Sequence, residues 1–409
     1  MASRSIAELV VVPAERRDLT WLTDSLQAAV ELELSTIPPY LCALWSIKTP
    51  TPDDPGSVYG LIRSVVLEEM LHMGLASNLL TTIGGTPELS LPGYPGHLPG
   101  GVHPQLLVGL SGLTKEAVKV FMEIELPEKQ QRRRAEATAE SYPTIGAFYD
   151  AISQAFGDLG PSIVTGDRQL TIRIGSEQLV AIRTLEQAQA AITVIKEQGE
   201  GTPGDPEVAV SGNELAHYFK FGEIYHGKTY VKVGNSWGYD GAPVPFPDAW
   251  PMLEVPEGGY PEQDAVRSFD ERFMSVMSDL QEAWQARGGD GAARLAHAVG
   301  TMFNLAPLAQ AIMQVPVPGK RGTYGPDFRA PVAAPVSFRT DIAPMFQRFR
   351  GQMLWRFDLT DYEHVKANAQ TIYSRISDPG GPMPPPLYEP LEPEQVRRFR
   401  RWIDEGCPA

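Results

Sequence analysis

Glutamate and histidine recur along this chain in a chemically suggestive order. Glu33 stands alone, Glu69 is followed by His72, Glu125 stands alone, and Glu214 is followed by His217. In a helix, i, i+3 spacing puts a carboxylate and an imidazole one turn apart on one face, which suits chelation of one ion. The lone glutamates can bridge two ions or complete their coordination. Oxygen and nitrogen donors without thiolate suit iron or manganese better than copper(I) or structural zinc. The order of the six is that of a bundle holding two metal ions between facing helices. Open positions on such a pair can take O2, peroxide or substrate.

The six residues matter only if they face inward, and helical periodicity predicts that they do. At about 100° per residue, Glu33 falls about 20° from Leu22, inside the stripe of Leu26, Val30 and Ile37, whereas Glu31 falls about 180° away. Glu69 and His72 share a face with Leu61, Val65 and Ala76, and Glu68 lies at its edge as a weaker candidate. Glu125 shares a face with Ala117, Phe121 and Val118, while Glu123 does not. Glu214 and His217 lie near Tyr218 and Phe221. A second Glu-x-x-His, Glu223 with His226, lies on the other side of the same segment and is the runner-up because fewer large apolar residues share its face. A single Glu-x-x-His is common and a lone buried glutamate is often paired with Arg or Lys, so the weight rests on the joint pattern. An ionised carboxylate on an apolar face is costly unless something compensates it. Tyr40, seven residues after Glu33 and on nearly the same side, is a candidate catalytic phenol or hydrogen-bond donor; the plainer alternative is a core tyrosine. His97, His103, His297 and His364 stand singly and read as ordinary.

The elements that must position these residues read as helices. A helix over 19–48, capped by Asp18 or Thr20, carries Glu33, and Pro38-Pro39 is expected to kink or break it. Ser57 can cap a helix over 57–82 that ends before Gly84-Gly85. A third helix runs from Thr114 to about Leu126. Further helices are predicted over 143–158, 184–197 and about 213–232, with a small strand over 169–175. Two helices follow over about 261–287 and 291–314, and a Pro-rich linker over 315–336 leads to a small helical module over 337–409. The domain boundaries expected are 1–235 for the metal-binding bundle, 236–332 for a helical extension and 333–409 for the C-terminal module.

Composition narrows the function classes. The chain has 409 residues, 43% of them hydrophobic, enough for a large core. Its 38 Gly and 37 Pro suggest long loops between helices. A net charge of −15 disfavours nucleic acid and anionic membrane partners. Two isolated cysteines, Cys42 and Cys407, exclude a disulfide framework and a Cys-ligated metal. No signal-like or membrane-spanning apolar run is visible, so a cytoplasmic location is expected.

Several phrases resemble a known family: AVELELSTIPPYLCALWSI, VVLEEMLHMGLASNLLTTIGGTP, VFMEIELPE, IKEQGEG and ELAHYFKFGEI. They are similar to the ferritin-like domain of the iminophenyl-pyruvate dimer synthases of violacein- and rebeccamycin-type pathways, over about residues 15–230. That resemblance implies an all-α, ferritin-like four-helix bundle with helical extensions. It also implies oxidative coupling of an amino-acid-derived imine, with the metal ligands at the six positions above. Known dimer synthases are much longer, so the exact reaction does not carry over. The C-terminal module resembles small c-type cytochrome domains at Met383-Pro384 and Trp402-Ile403, but the chain has no Cys-x-x-Cys-His, which excludes covalent haem.

The expected function is therefore a non-haem di-iron oxidase or oxygenase of secondary metabolism. It would hold two iron ions, with manganese as the other metal considered, and act on a small-molecule substrate with O2 or peroxide. The oligomeric state is left open, a dimer included. Two alternatives stand beside this reading: an iron-binding ferroxidase of the ferritin superfamily, and a metal-free ferritin-like scaffold.

Overall fold

The computed structural model describes residues 5–127, 144–201, 214–234, 236–257, 259–260, 264–286, 290–302, 304–329, 336–347, 350–353, 358–377, 391, 393–404 and 406–408. Met383 and Pro384 lie outside these. After a short α1 (Ile6–Val10), the chain enters α2 (Leu19–Ser46) and α3 (Val58–Thr82). Asp18 caps α2 by accepting from the Trp21 N–H at 2.9 Å, and Ser57 caps α3 by accepting from Gly60 N–H at 3.1 Å. Both helices are apolar nearly all round. Residues 32–47 of the first and 68–83 of the second are buried without interruption, as expected of helices that run through the middle of a core rather than along its surface.

Of the two outcomes expected for Pro38-Pro39, a kink or a break, the break does not occur: α2 runs on through both prolines. Each proline removes a backbone donor, so the carbonyl four residues earlier loses its partner. The structure replaces one of the two bonds. Tyr94 donates its hydroxyl to the Ser35 carbonyl at 2.7 Å, the oxygen that Pro39 leaves free.

Around the α2–α3 pair lie α4 (Lys115–Ile124), α5 (Ile145–Leu159), α6 (Leu185–Glu200) and α7 (His217–His226). Thr114 caps α4 and Thr144 caps α5, each accepting from the N–H three residues on at 3.0 Å. α4 packs on α7, α5 on α6, and α6 and α7 both pack on α3. Two small antiparallel hairpins interrupt the helices. β1 (Ile172–Ile174) pairs with β2 (Glu177–Leu179), Ile172 opposite Leu179. β3 (Val231–Val233) pairs with β4 (Ser236–Gly238), Val231 opposite Gly238. Then come α8 (Asp264–Gln285), α9 (Asp290–Met302) and α10 (Leu305–Ile312). Their buried residues belong to the same apolar core as the bundle, with Phe269, Trp284 and Ala298 beside Leu26 and Leu79.

The chain divides into two compact units, residues 1–329 and 330–409. The second has its own core, centred on Phe338, Phe346, Phe399 and Trp402. Its elements are a π-helical turn (Phe338–Ile342) and short helices α11 (Ala343–Gln347), α12 (Arg350–Met353), α13 (Tyr362–Ala367) and α14 (Ala369–Ile376), followed by α15 (Pro393–Asp404). Trp402 donates its indole N–H to the Pro408 carbonyl at 2.7 Å. Among the described residues, no helix of the chain is long and apolar enough to cross a membrane.

Candidate metal centre

Four helical segments of the first unit deliver ionisable side chains to one buried place. α2 supplies Glu33, α3 supplies Glu69 and His72, and the C-terminal end of α4 supplies Glu125. The first residue of α7 supplies His217. Their donor atoms form two groups, Glu33–Glu69–His72 and Glu69–Glu125–His217, each with atoms within 4.8 Å of one another. Glu69 belongs to both. The rings of His72 and His217 lie stacked, with centroids 5.6 Å apart. Glu33, Glu69 and both histidines are buried, and Glu125 is half-buried.

The histidines are held so that one nitrogen of each points into this cluster. His72 Nε2 lies 2.7 Å from Gln198 Oε1, and His217 Nε2 lies 2.7 Å from Glu68 Oε2. Each of these partners is an acceptor, which puts the ring hydrogen on Nε2 and leaves Nδ1 with a free lone pair. His72 Nδ1 then faces Glu33 Oε2 at 3.5 Å and Glu69 Oε1 at 3.6 Å, too far for hydrogen bonds. His217 Nδ1 lies 2.9 Å from Glu69 Oε1 and 3.4 Å from Glu125 Oε2, yet makes no hydrogen bond of acceptable geometry. A buried imidazole nitrogen without a partner, aimed among carboxylates, fits a cation at that point.

Protons are the rival way to balance these charges. Burial alone would lower the His72 pKa, but Glu33 and Glu69 outweigh it and push the imidazole up to about 10. His217 is raised likewise, burial being outweighed by Glu125, Glu68 and Glu69. Glu33 is raised, by burial first and also by Glu69. Burial would raise Glu69 too, but the two histidines hold it below the usual carboxylate range. The cluster thus favours positive charge, and a metal ion held there would take the place of imidazolium protons.

The carboxylates are themselves held. Thr36 Oγ1 donates to Glu69 Oε2 at 2.7 Å, Tyr40 donates to Glu125 Oε1 at 2.6 Å, and Tyr149 of α5 donates to Glu33 Oε1. Burial, and then the neighbouring carboxylates, raise both phenol pKa values well above the usual range, so Tyr40 and Tyr149 stay protonated donors. Beneath His217, Glu68 also binds Lys220 Nζ at 2.6 Å. Burial opposes its ionisation, but His217 and Lys220 hold its pKa down at about 2.

Glu214 is not where the spacing predicts. α7 begins at His217, so Glu214 precedes the helix, and the one-face rule for i, i+3 pairs does not apply to it. Its side chain is 59% exposed and bonds Lys220 Nζ at 3.1 Å, away from the cluster. Glu68, ranked lower on helical angle, is the buried carboxylate on that side instead. His226 stacks on Tyr239, and Glu223 accepts from the Tyr230 N–H at 2.6 Å, so the runner-up pair is also outside. Sequence reasoning missed Tyr149, Gln198 and Thr36. Thr36 had a signal, since Glu33, Thr36 and Tyr40 form one i, i+3, i+7 stripe. Tyr149 and Gln198 come from helices more than a hundred residues away and carried none.

A cavity of about 40 Å³ adjoins the cluster, with Leu32, Ile124, Leu126, Ile145 and Ile195 as apolar wall and Lys196 at its side. Carboxylates and histidines that converge from α2, α3, α4 and α7 form the pattern of an all-α metal-binding bundle. Residues 26–226 match the Ferritin-like family model. The fold is accordingly ferritin-like, with helical additions. Among solved structures, a ferritin-like protein from Caulobacter vibrioides is similar: 25% identical, with 71% of this chain and 93% of that chain covered and a TM-score of 0.50. Among curated proteins there is no significant match.

Proposed function

We infer that the first unit is a non-haem di-iron oxidoreductase. Glu33, Glu69, His72, Glu125 and His217 would hold the two ions, Glu69 being common to both donor groups. The observation that carries this reading is that Glu69 is shared by both ligand groups while each group has its own inward imidazole nitrogen. Bound iron would supply the electrons and the open position that O2 or peroxide chemistry needs.

The chain's own residues supply the rest. Tyr149 and Thr36 fix the orientations of Glu33 and Glu69. Tyr40, the candidate phenol of the sequence, acts through Glu125: its hydroxyl donates to Glu125 Oε1 at 2.6 Å and fixes that carboxylate, which lines the cavity. The apolar wall excludes bulk water. Lys196, fastened to Asp150 Oδ1 at 2.6 Å, is the cation that a substrate carboxylate would meet. This supports a small amino-acid-derived substrate, and the resemblance to the dimer synthases points to an imine. A cavity of only 40 Å³ favours a second reading, in which ferrous iron itself is the substrate and the protein is a ferroxidase.

Anaerobic loading with Fe(II), followed by O2, tests both. The expected result is about two iron ions per chain, lost in Glu69→Ala, and O2 uptake coupled to oxidation of an added amino acid or imino acid. Uptake that follows added Fe(II) alone would select the ferroxidase. Less than one ion per chain, unchanged in Glu69→Ala, would leave only the scaffold.

A further inference from the structure

A second cavity, of about 120 Å³, lies in the first unit against the same two helices, α2 and α3, that carry Glu33, Glu69 and His72. Leu34 and Ile37 of α2 and Met70 and Met73 of α3 form one side, and Met277 of α8 and Ala298 of α9 form part of the other. Each of Leu34, Met70 and Met73 directly follows a residue of the metal cluster, about 100° round its helix, so the two sites use adjacent faces of the same helices. The β1–β2 hairpin closes a third side.

The lining is nearly free of strong hydrogen-bonding groups. Trp284 has an indole N–H, but it is spent on Asn78 Oδ1 at 3.1 Å. Arg173 is exposed on the hairpin and donates its Nε–H to the Gly175 carbonyl at 3.1 Å. A buried water needs two to four polar partners, and this space does not offer them; apolar cavities of about 150 Å³ stay dry and take up benzene or xenon. Empty apolar space of this size is costly to keep in a packed core. Methionine side chains on both sides can shift to fit different shapes.

We propose that this cavity is a binding site for a small apolar molecule, a single aromatic ring or a branched alkyl group of about six or seven heavy atoms. Occupancy needs no metal, so the proposal stands or falls apart from the function inferred above.

The test uses the full chain with benzene in solution and xenon in crystals. Benzene is expected to raise the melting temperature in a saturable way, by about 1–2 °C per kcal/mol of binding free energy for a unit of this size. Xenon is expected to give a density peak between Met73 and Met277. Ala298→Leu, which adds three carbons to the wall, is expected to abolish both while leaving the iron count unchanged. The absence of both the shift and the peak in the natural chain overturns the proposal, and so does a benzene shift that Ala298→Leu leaves intact. If Ala298→Leu does not fold, the xenon map of the natural chain decides alone.

Discussion

Glu68 accepts from His217 Nε2 at 2.7 Å, and this bond decides which nitrogen of the ring is left to face Glu69 and Glu125. Lys220 completes the arrangement by holding the other oxygen of Glu68 at 2.6 Å. The cluster therefore has its control one layer beyond the atoms that would touch a metal.

Removal of Glu68 should weaken metal binding without removing a ligand. Outer carboxylates on metal-binding histidines typically contribute about 10–100-fold in affinity. Glu68→Ala is expected to lose about that much in a competition titration against a chelator. Glu68→Gln keeps an acceptor oxygen and should recover most of it. Glu68→Ala also leaves Lys220 buried with only the exposed Glu214 beside it, so a fall in melting temperature is expected in that variant. Equal affinity in Glu68→Ala and the natural chain would sink the assignment.

Glu214 and Glu125 should behave as opposites. Glu214 is exposed and its contact with Lys220 is a partly solvated ion pair, which contributes at most about 1 kcal/mol. Glu214→Ala should keep the full iron count and nearly the same melting temperature. Glu125→Ala should lose at least one iron, because Glu125 is the α4 carboxylate in the group with His217. Iron analysis of the two variants checks this. Loss of an equivalent in Glu214→Ala would return that residue to the ligand set.

The contrast between these two glutamates also marks how far the sequence could be read. The inward direction of Glu33 and Glu125 was legible because Glu31 and Glu123 fall away from the largest apolar residues of their helices, and that of Glu69 and His72 because they share one face with Leu61, Val65 and Ala76. The inward direction of His217 was legible because the large apolar residues around it favoured it over His226. Glu214 was misplaced because the boundary of α7 was not marked. The residue before that helix, Ala216, makes no side-chain cap, so nothing in the sequence says where the helix begins. The partners Tyr149 and Gln198 were illegible because their contacts are tertiary. That the helix continues through Pro38-Pro39 was illegible for a related reason: compensation comes from Tyr94, which lies in a loop more than fifty residues away.

Tyr94 is accordingly a residue whose hydroxyl, more than its ring, should matter for stability. Tyr94→Phe keeps the buried ring but leaves the Ser35 carbonyl without a partner inside α2. An unsatisfied buried acceptor costs about 1–3 kcal/mol. Urea denaturation of Tyr94→Phe should report a loss in that range with an unchanged slope. The same substitution at Tyr149 should lower stability less than it lowers iron affinity, since its partner there is Glu33. No measurable loss in Tyr94→Phe would mean that α2 tolerates the two prolines by some other route.

A last expectation concerns pH, at a place remote from the metal cluster. Asp270 of α8 and Asp327 are both buried, and one oxygen of each lacks a hydrogen-bond partner. Burial, and then the proximity of Asp327, push the Asp270 carboxyl up to about 9, with Arg329 too weak a counterweight to prevent it. In the unfolded chain the same group ionises near pH 4. Between those values the folded state keeps a proton that the unfolded state has released. Its contribution to stability is therefore full below about pH 4 and shrinks as pH rises towards about 9, by up to about 1.4 kcal/mol per pH unit. Asp270→Asn is neutral throughout, and its amide can donate to Asp327, so the variant should lack this decline. Calorimetric melting temperatures from pH 5 to 9 should fall for the natural chain and stay flatter for Asp270→Asn. Parallel profiles would mean that the two carboxyl groups do not share a proton, and that a cation or water balances them instead.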